Sequence, residues 1–265
     1  DKDWDKGNPQ KVANTDDQRK AFASYIRTLD PYDSPVVVHT LPGRYDEMYE
    51  PLLGYASLEG PSLQMGKVEE VHQETLKWVN RSREAGRPWF VCLDEIGPAS
   101  TGVKPDADDP DHYEVRRYGL WGNLMAGGAG CEWYFGYEFA HNDLNLEDFR
   151  SRDRMWDLTR FAVEFFQTYL PFEEMHSDDS LVSNSSAYCF AKPGEVYAIY
   201  LGEGGTTGLS LPEGTYSIDW FDPRNGGPLQ TGSRDQVTGA ESVSIGDPPA
   251  ESNRDWVALV RSAEE

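Results

Sequence analysis

Trp89-Phe90-Val91-Cys92-Leu93-Asp94-Glu95 is the stretch that decides how this chain folds. An apolar run, Trp89–Leu93, passes straight into two carboxylates. Short, continuous and apolar, it fits a strand buried on both faces, as in a parallel sheet. Upstream, Val68, Val71, Thr75, Leu76 and Val79 recur at helical spacing across Val68–Ala85, and Gly86 closes that helix. Downstream, a long acidic loop, Gly97–Pro110, leads to a helix expected from Asp111. Glu114 follows three residues on in a capping-box pattern, and Val115, Tyr118, Leu124 and Met125 supply the buried side.

The same alternation extends both ways. Thr15 and Gln18 form a capping box ahead of a helix whose inward stripe is predicted to be Phe22, Tyr25, Ile26 and Leu29; Asp30-Pro31 stops it. Pro35–Thr40 reads as a buried strand, Tyr45–Leu53 as loosely helical, and Leu58–Gln64 as a weaker strand. After Gly127-Gly128 a strand carries Cys131–Phe135, then a His/Asn/Asp-rich loop, then a helix over Ser151–Leu170 with Met155, Leu158, Ala162, Phe165, Phe166 and Tyr169 inward. Strands alternating with helices imply βα units and a parallel sheet. A doubly wound open sheet satisfies the same pattern, but no Gly-rich phosphate fingerprint follows any strand. Past Pro171 the pattern turns to short strands, at 188–191, 196–201, 209–211, 216–220, 243–245 and 256–260, separated by Gly/Pro turns. The expected organisation is α/β plus all-β: residues 1–172 in βα units and 173–265 in a small β-sandwich.

Composition narrows the function. With 265 residues the chain can bury a sizeable core. A net charge of −22 disfavours both nucleic acid and anionic membrane surfaces as partners, and fits a protein that is secreted, periplasmic or at the cell surface. Cys92, Cys131 and Cys189 lack metal or redox spacing and are expected to be free, buried thiols. Asp1, Asp3 and Asp5 alternate as in a calcium loop, but Val12 stands where a bidentate Glu is needed, so a solvated loop is expected. The chain opens on Asp1 rather than Met, which suggests processing, truncation or cleavage.

In parallel αβ folds chemistry collects at the C-terminal ends of strands. Those ends carry His39, Gln64, Asp94-Glu95, and Trp133-Tyr134 with Tyr137 and His141 just beyond. Carboxylates and amides bind sugar hydroxyls, aromatic faces stack on pyranose C–H surfaces, and one carboxylate can attack an anomeric carbon or activate water. Glu95 is therefore the catalytic candidate, and His39, Gln64, Asp94, Trp133, Tyr134, Tyr137 and His141 are the substrate-binding ones. The structural alternatives are plain: an ion pair of Glu95 with Arg87, Arg116 or Arg117, a core histidine at 39, simple packing for Trp133. Strand parity points Asp94 away from Glu95. No local His pair suggests a metal, and no cofactor is expected.

Two longer stretches, Phe90-Val91-Cys92-Leu93-Asp94-Glu95-Ile96-Gly97-Pro98 and Leu120-Trp121-Gly122-Asn123-Leu124-Met125-Ala126-Gly127-Gly128-Ala129-Gly130, resemble bacterial glycoside-hydrolase-like (β/α)₈ barrel proteins. Those proteins end in a β domain labelled "putative collagen-binding", which the tail also resembles at Tyr188–Tyr197, Trp220–Gly227 and Asp255-Trp256-Val257. The resemblance implies a glycoside hydrolase acting on a polysaccharide or oligosaccharide. It also implies that the four βα strands are the second half of the barrel, with Glu95 at the nucleophile position after strand seven and Trp133 after strand eight. The acid partner would then lie on sequence outside this chain. Half a barrel exposes two sheet edges, so a further partner is expected: the N-terminal half, cleaved or supplied as a separate chain. A non-catalytic carbohydrate- or matrix-binding protein and a polysaccharide lyase are the alternatives.

Overall fold

In the computed structural model, residues 14–145 and 148–263 are described. The Asp1/Asp3/Asp5 alternation lies outside the described residues.

Helix α1 (Asp16–Leu29) starts at the expected capping box: the Thr15 hydroxyl accepts from the Gln18 amide, and the Gln18 side chain accepts from Thr15 N–H. Strand β1 (Val37–Thr40), helix α2 (Tyr45–Tyr49), β2 (Gly60–Met65), α3 (Val71–Glu84) and β3 (Cys92–Ile96) follow. A π-helical stretch, Val115–Trp121, runs directly into α4 (Gly122–Met125), and then come β4 (Gly130–Cys131) and α5 (Asp153–Tyr169). The four strands form one parallel sheet in the order β1-β2-β3-β4. Leu63, Met65, Leu93 and Ile96 bury one face of it. Gly119 of the π stretch lies against that face so closely that a Cβ there would sit 3.2 Å from Ile96 Cδ1 and 3.8 Å from Leu93 Cδ2. Trp78 of α3 fills the space behind, edge-on to Tyr49 at 5.2 Å and stacked on Trp89 at 6.0 Å.

Several expectations need correction. The strand expected at Trp89–Leu93 begins at Cys92 and runs on through Glu95 to Ile96. The helix expected from Asp111 is π-helical over Val115–Trp121 and shows no side-chain cap there; Met125 is buried as expected, and so are Arg116, Arg117, Gly119, Leu120 and Trp121, while Val115, Tyr118 and Leu124 are only partly covered. Most telling is α1: Phe22, Tyr25, Ile26 and Leu29, expected inward, are 54%, 63%, 46% and 63% exposed, and only Ala23 is buried. The periodicity is real, but nothing among the described residues covers that face.

The second sheet is antiparallel, in the order β10-β9-β12-β7-β6-β5. Its strands are β5 (His176–Ser177), β6 (Ala187–Lys192), β7 (Val196–Leu201), β9 (Thr215–Phe221), β10 (Gln236–Thr238) and β12 (Trp256–Ser262), with β8 (Gly208–Leu209) and β11 (Val243–Ser244) pairing as a separate ribbon. β5 and β10 were not foreseen. Alternation along β7 divides the side chains. Ile199 and Leu201 face a core shared with the ribbon's Leu209 and Ile245; Ala198 and Tyr200 face the helices. On that side Phe190, Tyr200, Phe221, Val257 and Leu259 join Trp121, Phe165 and Phe166 in one core, with Trp121 stacked on Tyr200 at 5.0 Å and 7°. At its centre Arg116 and Asp255, both fully buried, make a two-point ion pair of 3.0 and 2.9 Å, and Tyr200 donates to the same carboxylate at 3.0 Å. Burial works against the Arg116 charge, and Asp255 more than offsets it, so the guanidinium is held more basic than usual.

Candidate active site

Glu95 owes its direction to a bulge. The β2–β3 register pairs Leu63 with Leu93 but Gln64 with Glu95, so Asp94 is the extra residue. In an unbroken strand Glu95 would share the parity of Leu93 and point at the helices. One inserted residue reverses it, a use of bulges that recurs beside functional sites. The Glu95 carboxylate thus lies on the face opposite the helical layer. There it accepts from Gln64 Nε2 at 2.7 Å and stands 3.8 Å from His39 Nε2. His39 Nδ1 in turn meets Ser62 Oγ at 3.0 Å. The Glu95 and His39 side chains are 25% and 47% exposed, so this cluster is open to solvent from one side and His39 is no core histidine. The three arginines that might have neutralised Glu95 are spent elsewhere: Arg87 on Glu59, Arg116 on Asp255 and Arg117 on Glu203. Gln64 turns its N–H to the carboxylate and leaves its Oε1 buried without a hydrogen-bond partner among the described residues.

The loops that follow β3 and β4 are bound to each other. Gly97-Pro98 follows Ile96, the last residue of β3, and the segment after it is laced to the segment after β4. Val103 N–H donates to Tyr134 O at 2.8 Å; Tyr137 and Glu138 N–H both donate to Ser100 O at 2.9 Å; the Tyr134 hydroxyl donates to Ala99 O at 2.7 Å. Such lacing needs glycine twice. Gly102 and Gly136 have φ of +49° and +67°, and a Cβ on either would come within 2.2 or 2.4 Å of a carbonyl oxygen of the other loop. Burial, and then the Glu95 charge, raise the Tyr134 phenol above its ordinary pKa, so it stays a neutral donor to Ala99 O.

The structure therefore brings His39, Gln64 and Glu95 together, and adds Ser62; Tyr134 feels the Glu95 charge, with its hydroxyl committed to Ala99 O. Asp94 stands apart from them: it lines a hollow of about 280 Å³ with Cys92 and Glu132, and after burial its charge is the next cause pushing the Cys92 thiol up to about 12. Trp133 is 9% exposed, and its indole N–H is committed to Thr159 of α5 at 3.0 Å; what it offers is a ring edge in a hollow shared with Phe135 and Trp156. Tyr137 is 53% exposed, and His141 is exposed with φ of +56°. Ser62, at the same strand end as Gln64, is not among the substrate-binding candidates because a strand serine carries no chemistry of its own; the signal is its register opposite His39. The cysteines are unpaired, Cys189 buried and the other two partly so. Among the described residues no group of three or more His, Cys, Asp or Glu side chains is placed to hold a metal ion, and no helix is long and apolar enough to cross a membrane.

With this geometry in view, comparison with known proteins separates the two sheets. Residues 175–261 match the "Putative collagen-binding domain of a collagenase". The chain as a whole superposes on a glycoside hydrolase family 5 protein from Bacteroides vulgatus ATCC 8482 with a TM-score of 0.62 at 15% identity, over 92% of this chain and 58% of that one. A second structure, titled "Glycoside hydrolase", gives a TM-score of 0.61 at 12% identity, over 95% of this chain and 70% of that one. At these identities the likeness is one of fold. The chain spans less than two thirds of the Bacteroides protein. No curated protein matches it.

Proposed function

We propose that this chain is the C-terminal part of a glycoside hydrolase that acts on a polysaccharide or oligosaccharide outside the cytoplasm. In this reading Glu95 serves as nucleophile or general base, and the general acid lies on polypeptide outside these residues. The observation that carries the reading is the Glu95 cluster: a solvent-reached carboxylate at the C-terminal end of a parallel strand, turned off the helical layer by a bulge and held by an amide and an imidazole rather than by an arginine. Gln64 fixes one carboxylate oxygen, which leaves the other, beside His39, to meet an anomeric carbon or a water. The fold shared with glycoside hydrolases supports it. Replacing Glu95 by Gln in the intact enzyme is expected to abolish most release of reducing sugar while oligosaccharide binding persists; unimpaired turnover would remove Glu95 from the chemistry.

The same reading makes the parallel sheet half of a (β/α)₈ barrel. The exposed face of α1, together with Phe90, Trp156 and Val163 beside the other sheet edge, supports a partner polypeptide, contiguous or separate, that adds strands at both edges. The isolated chain is then expected to self-associate in sedimentation velocity, and to become discrete when that partner is co-expressed. The match over residues 175–261 favours a second reading, a carbohydrate- or matrix-binding protein without turnover. It predicts retention on a glycan or collagen column with no product released.

A further inference from the structure

Arg152 is fully buried at the start of α5, where the helix dipole disfavours a cation. Its guanidinium spans the two loops that follow β3 and β4. Nε donates to Val103 O at 3.1 Å, in the loop after β3, and Nη1 donates to Ala140 O at 3.2 Å and His141 O at 2.8 Å, in the loop after β4. Nη1 also reaches Ser151 Oγ at 2.6 Å, and the planar group lies 4.4 Å above the ring of Phe135. Val103 is the residue whose own N–H holds Tyr134 O, so the same short segment is gripped from both sides.

We propose that Arg152 is a positioning residue of the candidate site, holding the loop that runs on from β3 and its Glu95 against the loop that carries Trp133 and Tyr134; the inference rests on the reading of the Glu95 cluster as the glycan site. A forked, planar group is required, because the carbonyls come from separate loops and lie in different directions. Lysine, a point charge on a flexible stem, cannot meet them together.

The test is amide hydrogen exchange on the full chain carrying Arg152→Ala or Arg152→Lys. Each lost charge-assisted bond is worth enough to speed exchange about 10- to 100-fold at Val103, Tyr137 and Glu138. Amides of the β6–β7 ladder are expected to keep their wild-type rates. Guanidinium ion added to Arg152→Ala should restore slow exchange, and methylammonium should not. In the intact enzyme Arg152→Lys is expected to raise KM while kcat stays within about threefold. Unchanged exchange at the three amides overturns the proposal; so do uniform acceleration across the chain, equal rescue by methylammonium, and an unaltered KM despite loosened loops. If exchange behaves as expected but the wild-type enzyme releases no sugar, the clamp stands and the glycosidase reading fails.

Discussion

Substituting Asp255 by Asn tests whether the two sheets share one stability. The carboxylate accepts three hydrogen bonds, two from Arg116 and one from Tyr200, with no solvent access. Asparagine keeps the volume but turns an NH₂ toward a donor and leaves the Arg116 charge buried without its counter-ion. Breaking one partner of a buried pair costs about 3–5 kcal/mol. At about 2–4 °C per kcal/mol for a chain of this size, the melting temperature should fall by about 6–20 °C. Tyr200→Phe removes only a hydrogen bond to a charged group and should cost about 1.5–3 kcal/mol. Replacing Arg116 and Asp255 together by Met and Leu should cost less than either single change, because no charge is then stranded. Differential scanning calorimetry reads all three variants. Because Trp121, Phe165 and Tyr200 sit in one core, each variant should still melt in a single transition. A melting point within about 2 °C of wild type for Asp255→Asn would refute the argument. So would a split into two transitions in which only the later residues move.

Two further outcomes follow from geometry already given. Gly102→Ala puts a methyl group 2.2 Å from Tyr134 O at positive φ, so the loops must part; a loss of about 2–4 kcal/mol is expected from chemical denaturation, larger than for Gly43→Ala, where φ is also positive but no atom lies within 4 Å. Cys92, pushed up to about 12 chiefly by burial, should be alkylated by iodoacetamide at pH 8.5 roughly 10³-fold more slowly than a free thiol. The sign follows: the thiolate forms in the unfolded chain at a lower pH than in the folded one, so stability present below pH 9.0 is lost as pH rises toward about 12.

Much of the fold was legible because burial on both faces leaves an unambiguous mark. Val196–Leu201 was placed to the residue, and the capping box at Thr15 appears as written. At β3, parity separates Asp94 from Glu95 but carries no sign of the bulge. The apolar run at Trp89–Leu93 marks the approach to the strand, and nothing in Leu93-Asp94-Glu95 announces which residue will be extruded. Glu95, His39 and Gln64 could be chosen from their strand-end positions, yet their convergence depends on that unseen bulge. Trp133, expected within a strand over Cys131–Phe135, lies beyond β4, and its indole N–H found Thr159, a partner that only the packing of α5 could supply. The stripe of α1 was read correctly as apolar and wrongly as covered, since a pattern reports what a face requires and not whether this chain supplies it.

The aromatic stack of Trp121 on Tyr200 bears on anyone wishing to transplant the terminal region. A cut between α5 and β5 looks convenient on paper, because the chain there passes from one sheet type to the other. In space it would strip the cover from Trp121, Phe165 and Phe166 at once, leaving both pieces with raw apolar surface. Chimaeras built at that seam should precipitate unless the recipient brings a matching aromatic face, so the tail is better regarded as a fixture than as an interchangeable cassette.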